Sequence, residues 1–505
     1  MSATSGSHLV RENLRFFIVS FLVLSVGVLA VYWEALRYPF IQDDWSMLSR
    51  ATESSFGEWL RFAFYPPHQL FYRPLGMTYF FLYERAFGLN PLFFHLINLT
   101  VHVMNSVLVL FIALLVSRSR TIALAVAVLY ATAATIHLDP LLWMVGIFDL
   151  MGAFFFFSGL ALLMSGKPRW SGLSFLLGLL FKESVIALPV VLLGWLFWER
   201  EKNTRPSAGI VADLGPHLAA LALYLPLKLS GLSPFAFPSG FPYHLTFLGV
   251  GVVRNGLDYA ACSLGALVPF LSTKPVVGVF AGVALATLAL FTRMRRADGL
   301  PVHWAFLSLW AVAGIAVALP LANHWYRYYL TYSFPAVLLI ALLVLRQFHR
   351  AIQGGGRSSA ALVASWLLVQ TLSAGAYVFR KDQAGIGDKY ERGTNNLVHR
   401  GHAVAAVLDY LARAHPWVPD DTVFVVSGAE IEAFDGASAF RAFYRERGIT
   451  AYPRATVEVS AGGKMSLSPL APGADQLANR TLDDRSVILL DVGPEGVKER
   501  VVSPR

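Results

Sequence analysis

A chain of 505 residues that is 56% hydrophobic and only 14% charged, with a mean hydropathy of +0.55, carries more apolar side chain than one water-soluble core can bury. A bilayer has to solvate most of it, which excludes an ordinary soluble enzyme. The net charge of +9 would suit nucleic acid in a soluble protein, but here Lys and Arg sit in short segments between apolar runs, as positive-inside topology requires, so nucleic-acid binding is set aside.

The first apolar run, Phe16 to Trp33, follows Arg11 and Arg15. Its length and the lack of a small-residue cleavage pattern predict a retained signal anchor. An outer loop is expected over 34–91. Further apolar runs lie near 93–116, 121–136, 150–166, 171–182, 184–198, 208–230, 276–292, 302–321, 328–345 and 359–379. With the first, that predicts about eleven helices, several shorter than the ~20 residues of a full span and so expected to be broken or tilted around a polar cavity. Basic segments at Ser117 to Arg120, Lys167 to Arg169, Arg200 to Arg205, Arg293 to Arg296 and Arg346 to Arg357 recur at every second crossing and are expected to be cytoplasmic. The N-terminus is then inside and the C-terminus outside, in an integral, multi-pass protein of the bacterial inner membrane. Residues 246–272, with Arg254, Asn255 and Asp258, must begin and end on one side, which predicts an interfacial or re-entrant segment. Gly354 to Ser359 reads as a cytoplasmic linker. After about residue 380 the composition turns globular. Helical periodicity at 401–414 and 437–447 and strand-like runs at 422–426 and 486–491 predict a small extracytoplasmic α/β domain over 381–505.

Polar groups cluster on the side expected to face outward. Gln42-Asp43-Asp44-Trp45 follows the first helix closely; a carboxylate there can take a proton from an acceptor hydroxyl, although a helix cap is the competing reading. Phe71-Tyr72-Arg73-Pro74-Leu75 and Gly88-Leu89-Asn90-Pro91 come next. Then His95, Asn98, His102 and Asn105 share one helical stripe, facing either a cavity or a neighbouring helix. His137, Asp139, Trp143 and Asp149, the Lys182-Glu183 pair, and Asn323-His324-Trp325-Tyr326-Arg327-Tyr328-Tyr329 complete the set. Cations beside aromatic rings at a membrane edge suit a lipid-linked phosphosugar, with Lys182, Arg327 and Arg73 as phosphate ligands. An aromatic belt and a Lys–Glu pair are the structural alternative. The remaining pocket candidates are Tyr72, His95, His137, Asp139, Asp149, Glu183, His324 and Tyr328. No nucleotide-binding glycine loop is evident, which agrees with a lipid-phosphate donor.

In order, these motifs resemble the GT-C superfamily of glycosyltransferases. They look most like the membrane part of the tetratricopeptide-repeat O-mannosyltransferases and bacterial protein O-mannosyltransferase-like enzymes, over roughly residues 14–380. The resemblance implies an all-α polytopic bundle with a transmembrane catalytic domain over 1–380. It also implies inverting transfer of a mannose-like or other sugar from a polyprenyl-phosphate donor to a hydroxyl on a protein, lipid or glycan, with Asp43 or Asp44 as base. Metal dependence would be weak or absent; a divalent cation at Asp43/Asp44 is the one cofactor expected. His137-Leu138-Asp139-Pro140 departs from the family's usual His-Pro opening, and the helical repeats are missing. A flippase or transporter of lipid-linked sugar, or a glycan polymerase or ligase, is the alternative.

Overall fold

The computed structural model describes residues 13–65, 67, 70–201, 207–231, 241–267, 275–294, 304–353, 367, 369–374, 376, 397–459, 465–467, 486–493 and 495–500. The membrane part begins with α1 (Leu14–Tyr32), whose apolar residues include Ile18, Leu22 and Val26 facing outward, as expected of a lipid-facing span. Three helices follow that do not continue the membrane pattern: α2 (Asp43–Glu53), α3 (Phe56–Phe64) and α4 (Pro74–Phe87). Ser55 and Glu58 form a reciprocal capping box at the start of α3. Gly88, with φ +60°, ends α4, and Asn90 and Pro91 start α5 (Pro91–Ser117) as N-cap and first helical residue. The Gly-Leu-Asn-Pro run is therefore a helix-turn-helix junction. At 27 residues, α5 is about 40 Å long, enough to cross a bilayer.

The run predicted over 121–136 is two helices, α6 (Arg120–Ala131) and α7 (Ala134–Leu142), bent by 51° at a short break. The hairpin of α8 (Ile147–Met164) and α9 (Pro168–Phe181) comes next. The 3-10 turn Glu183–Ala187 leads into α10 (Leu188–Glu201), followed by α11 (Ser207–Leu229), α12 (Val250–Gly265), α13 (Pro275–Met294) and α14 (Trp304–Ala316). A second 3-10 turn, Arg327–Tyr332, precedes α15 (Phe334–Gln353). Among the described residues, four helices are long and apolar enough to cross a membrane, five if α6 and α7 make one bent span. Among the described residues, α9 and α10, at 14 residues each, α14 and the apolar parts of α13 and α15 are shorter than a full span, as expected of several of the apolar runs. The predicted helix at 359–379 and the linker at 354–359 lie largely or wholly outside the described residues, as does the boundary near 380. The segment predicted to lie along the interface holds α12, whose 16 residues span only about 24 Å. Asn255 ties α12 to the carbonyls of Leu319 and Leu321.

The basic ends gather. Arg120 Nε donates to Asn13 Oδ1 at 2.8 Å, and Arg346 donates to the carbonyl of Ser117. The molecule is an integral membrane protein in which the start of α1, the end of α5 and α15 share one pole.

The C-terminal part forms α16 (Leu397–Ala414), β1 (Val423–Ser427), α17 (Ser438–Tyr444), β2 (Thr450–Pro453), the hairpin β3 (Val457–Val459) with β4 (Met465–Leu467), and β5 (Val487–Gly493) with β6 (Gly496–Arg500). Its main sheet has the order β2-β1-β5-β6, with β2, β1 and β5 parallel and β6 antiparallel. Alternate residues of β1 point to two apolar layers, Phe424 and Val426 to the main core and Val423 and Val425 to a smaller one. This domain sits on the pole opposite the basic ends, with α17 against α2 and Arg445 paired to the buried Glu84 of α4 at 2.8 Å.

Candidate active site

At the domain-facing pole lies a cavity of about 110 Å³ lined by Asp43 and Met47 of α2, Phe71, Arg73 and Met77 around the start of α4, Pro140, Trp143, Val145, Gly146, Phe148 and Asp149 around the α7–α8 junction, and Lys182, Tyr243 and Tyr328. Chain direction explains much of it. In the antiparallel α8–α9 hairpin, the first turn of α8 meets the C-terminal end of α9, so Asp149 and Lys182 are neighbours, with Nζ 3.0 Å from Oδ2. Both charges suit the helix dipoles at those ends. Gly152 lets this happen, because a Cβ there would lie 2.9 Å from Cβ of Lys182 and 2.5 Å from the Tyr332 hydroxyl. Gly146 closes the α7–α8 corner, where a Cβ would meet the Pro140 carbonyl oxygen at 2.2 Å.

Arg73 is the N-cap of α4, an unfavourable place for a cation beside the helix dipole. Glu183 offsets this with a bidentate pair, at 2.8 Å to Nε and 2.5 Å to the second nitrogen. Phe71 and Phe148 lie under the guanidinium at 4.2 and 5.3 Å. Both cations thus enter the cavity pre-positioned by a carboxylate. Asp43 faces them from the first turn of α2, where the dipole favours its ionised form. Burial and the neighbouring Asp435 nonetheless push its carboxyl up to about 6, against the pull of Arg73.

Asp44 points elsewhere. Its carboxylate accepts backbone N–H groups of Ile41 (3.1 Å), Met144 (3.3 Å) and Val145 (2.8 Å) in the core, so it clamps the start of α2 to the α7–α8 junction. Burial pushes its carboxyl up, with the three donors opposing. The pair therefore separates into one carboxylate at the cavity and one structural clamp, which removes Asp44 as a base. The two carboxylates are thus engaged differently, Asp44 by three backbone donors and Asp43 at the cavity. Among the described residues, no group of three or more His, Cys, Asp or Glu is arranged to hold a metal.

Other candidates move away from the cavity too. Tyr72 turns to the opposite side from its neighbours and packs near Tyr224. Arg327 is buried in its 3-10 turn and does not line the cavity, unlike the adjacent Tyr328. His95 sits between the carbonyls of Tyr38 and Leu141, and Asn98, His102 and Asn105 reach those of Pro140, Ala131 and Leu150. The stripe is interhelical glue: it reaches the carbonyls of Ala131, Pro140 and Leu141 near the ends of α6 and α7, that of Leu150 in α8 and that of Tyr38 before α2. His137 packs between His102 and Tyr130 at 4.6 and 4.5 Å in the bundle core, and Asp139 likewise does not line the cavity. His324 backs the cavity at second remove, against Tyr243 (4.3 Å) and 3.5 Å from the Tyr328 hydroxyl. Tyr243, Trp143 and Phe148 are cavity residues that the sequence reading did not single out as ligands or bases. Trp143 stood in a noted cluster, whereas Tyr243 comes from a connection with no periodic signal.

No protein-family model matches this sequence, and no curated protein does. Among solved structures, ArnT from Cupriavidus metallidurans in the apo state aligns with a TM-score of 0.53 and 14% identity over 95% of this chain and 94% of that one. The same protein bound to undecaprenyl phosphate aligns with a TM-score of 0.45 and 14% identity over 88% and 86%. The archaeal oligosaccharyltransferase AglB from Archaeoglobus fulgidus, in complex with an inhibitory peptide and a dolichol-phosphate, gives 0.48 and 14% over 94% and 69%. The narrower likeness to O-mannosyltransferases lies beyond what such a comparison establishes. The near end-to-end match to apo ArnT, helices and terminal sheet domain together, shows that this chain has the GT-C fold.

Proposed function

We propose that this protein is a membrane glycosyltransferase that moves a sugar from a polyprenyl-phosphate donor to an acceptor hydroxyl at the non-cytoplasmic face, with inversion. The convergence of Asp43, Arg73 and Lys182 on one cavity, from segments far apart in sequence, carries this reading. Arg73 and Lys182 hold the donor phosphate, Tyr328, Tyr243 and Trp143 border the sugar, and Asp43 is the base. As the acceptor oxygen bonds to the anomeric carbon, its proton passes to Asp43. The bond from that carbon to the phosphate oxygen breaks, and polyprenyl phosphate leaves with the electron pair. Asp43 then loses the proton to solvent. A phosphate ester is already a good leaving group, so orientation, one base and two cations are a sufficient inventory.

The opposed poles, with basic helix ends on one and the cavity and sheet domain on the other, support this orientation. Asp43→Asn in proteoliposomes carrying a labelled polyprenyl-phosphate sugar tests the assignment. Transfer should fall by about 10²–10⁴-fold while donor binding persists; undiminished transfer would refute Asp43 as the base.

A further inference from the structure

The helix that carries Asp43 starts without the usual N-cap side-chain bond. Gln42, its N-cap, makes no side-chain cap bond and has φ 49° and ψ −126°, a backbone conformation that disfavours a side chain. The C-terminal domain holds it there: the Gln42 N–H donates to the carbonyl of Ala433 at 3.0 Å. Two residues on, Asp435 takes the left-handed conformation that Asp tolerates (φ 49°, ψ 57°). From there its carboxyl engages the backbone N–H of Ser46, in the first turn of α2, and the Ser438 hydroxyl. The Ser46 hydroxyl also lies 2.9 Å from the Asp43 carbonyl oxygen. Gly401 of α16 packs against Ile41 and Pro39, where a Cβ would be 2.7 Å from the Ile41 side chain.

Resting on the reading of Asp43 as base, we propose that Asp435 is a positioning residue that caps α2 in trans, so that the C-terminal domain completes the catalytic site by holding Asp43 at the cavity with a second carboxylate behind it. The groups facing Asp43 are few. Arg73 from α4 attracts it, Asp435 from the C-terminal domain repels it, and Asp44 on its own helix is tied to backbone donors. Asp149, Lys182 and Tyr243 share the cavity. On α17, Arg441 is engaged by the Ile449 carbonyl, and Arg445 just after it by Glu84. Asp435 is thus the charge through which the domain acts on the base, and its repulsion helps keep the Asp43 carboxyl protonated to higher pH.

Asp435→Asn keeps an acceptor and removes the charge, whereas Asp435→Ala removes both. In the full-length protein in nanodiscs, the pH dependence of transfer and an isotope-edited infrared titration of the Asp43 carboxyl are measured side by side. Asp435→Asn should move both titrations to lower pH by about half a unit or more. Asp435→Ala should in addition lower kcat about 10-fold or more, with donor KM changed by less than about 3-fold. Unmoved titrations with only a loss of thermal stability would overturn the proposal, as would wild-type kcat in Asp435→Ala. The infrared titration needs no turnover, so it still decides the coupling if Asp43→Asn proves active and the assignment of the base is what fails.

Discussion

Two polar clusters sit in this largely apolar molecule, and they are built differently. Around the cavity, Arg73 with Glu183 and Lys182 with Asp149 are charged pairs at helix ends, each cation held by a carboxylate and each still lining open space. In the bundle core, His102, His137, Tyr130 and Tyr32 pack ring against ring, edge-on or tilted, and both His137 ring nitrogens lack a protein partner among the described residues. Helix ends with oppositely charged residues make a site that a ligand can enter. A polar stripe along a helix binds neighbouring helices together and remains closed. The two should therefore respond differently when altered.

Beyond loss of the base, the largest contrast should come from Arg73→Ala. It strands Glu183 without its partner, a change that costs about 3–5 kcal/mol in a buried pair. Donor KM should rise at least about 10-fold with a fall in Tm, while Arg73→Lys should restore charge but not the bidentate geometry; isothermal binding of polyprenyl phosphate and thermal unfolding separate the two effects. Asp44→Asn should instead act through structure. It loses part of a three-donor clamp, for about 1–3 kcal/mol of stability, and should lower Tm without changing the pH at which activity is half-maximal.

The pH profile sharpens the comparison further. Asp43 serves as base only when ionised, so kcat should climb as pH rises through about 6 and be lost below it. Stability runs the other way. The folded carboxyl keeps its proton to higher pH than an unfolded Asp, so its contribution is complete below about pH 4 and lost as pH rises through about 6. Smallest of all should be His137→Phe, which keeps a planar ring, somewhat larger than imidazole, and removes two unpartnered nitrogens. Transfer should change less than about 3-fold and Tm should hold or rise; a large loss of transfer would draw the core cluster into the mechanism.

The helices were legible because apolar runs and their basic ends are long signals: α5 and α8 begin and end within three residues of the predicted runs. Arg73, Lys182, Asp149 and Tyr328 were legible for a related reason, as charged or aromatic residues at helix ends are costly unless used. What sequence could not separate was neighbours. Asp43 and Asp44, Tyr72 and Arg73, and Arg327 and Tyr328 each divide between cavity and core because one residue of helix or turn rotates a side chain by more than a quarter of a circle. The His95 to Asn105 stripe has the same spacing whether it lines a cavity or caps broken helices; only the break after Ala131 and the end of α7 at Leu142 decide it. Tyr243 enters from a connection, and β6, Gly-Val-Lys-Glu-Arg, lacks the apolar run that marks β1.

The most direct measurement is a structure of the full-length protein with a non-reactive polyprenyl-phosphate sugar analogue. The phosphate oxygens should lie within hydrogen-bonding reach of Arg73 and Lys182, with the anomeric carbon facing Asp43. A phosphate seated at Arg327 or at the basic pole, with the cavity left to solvent, would contradict the proposed site.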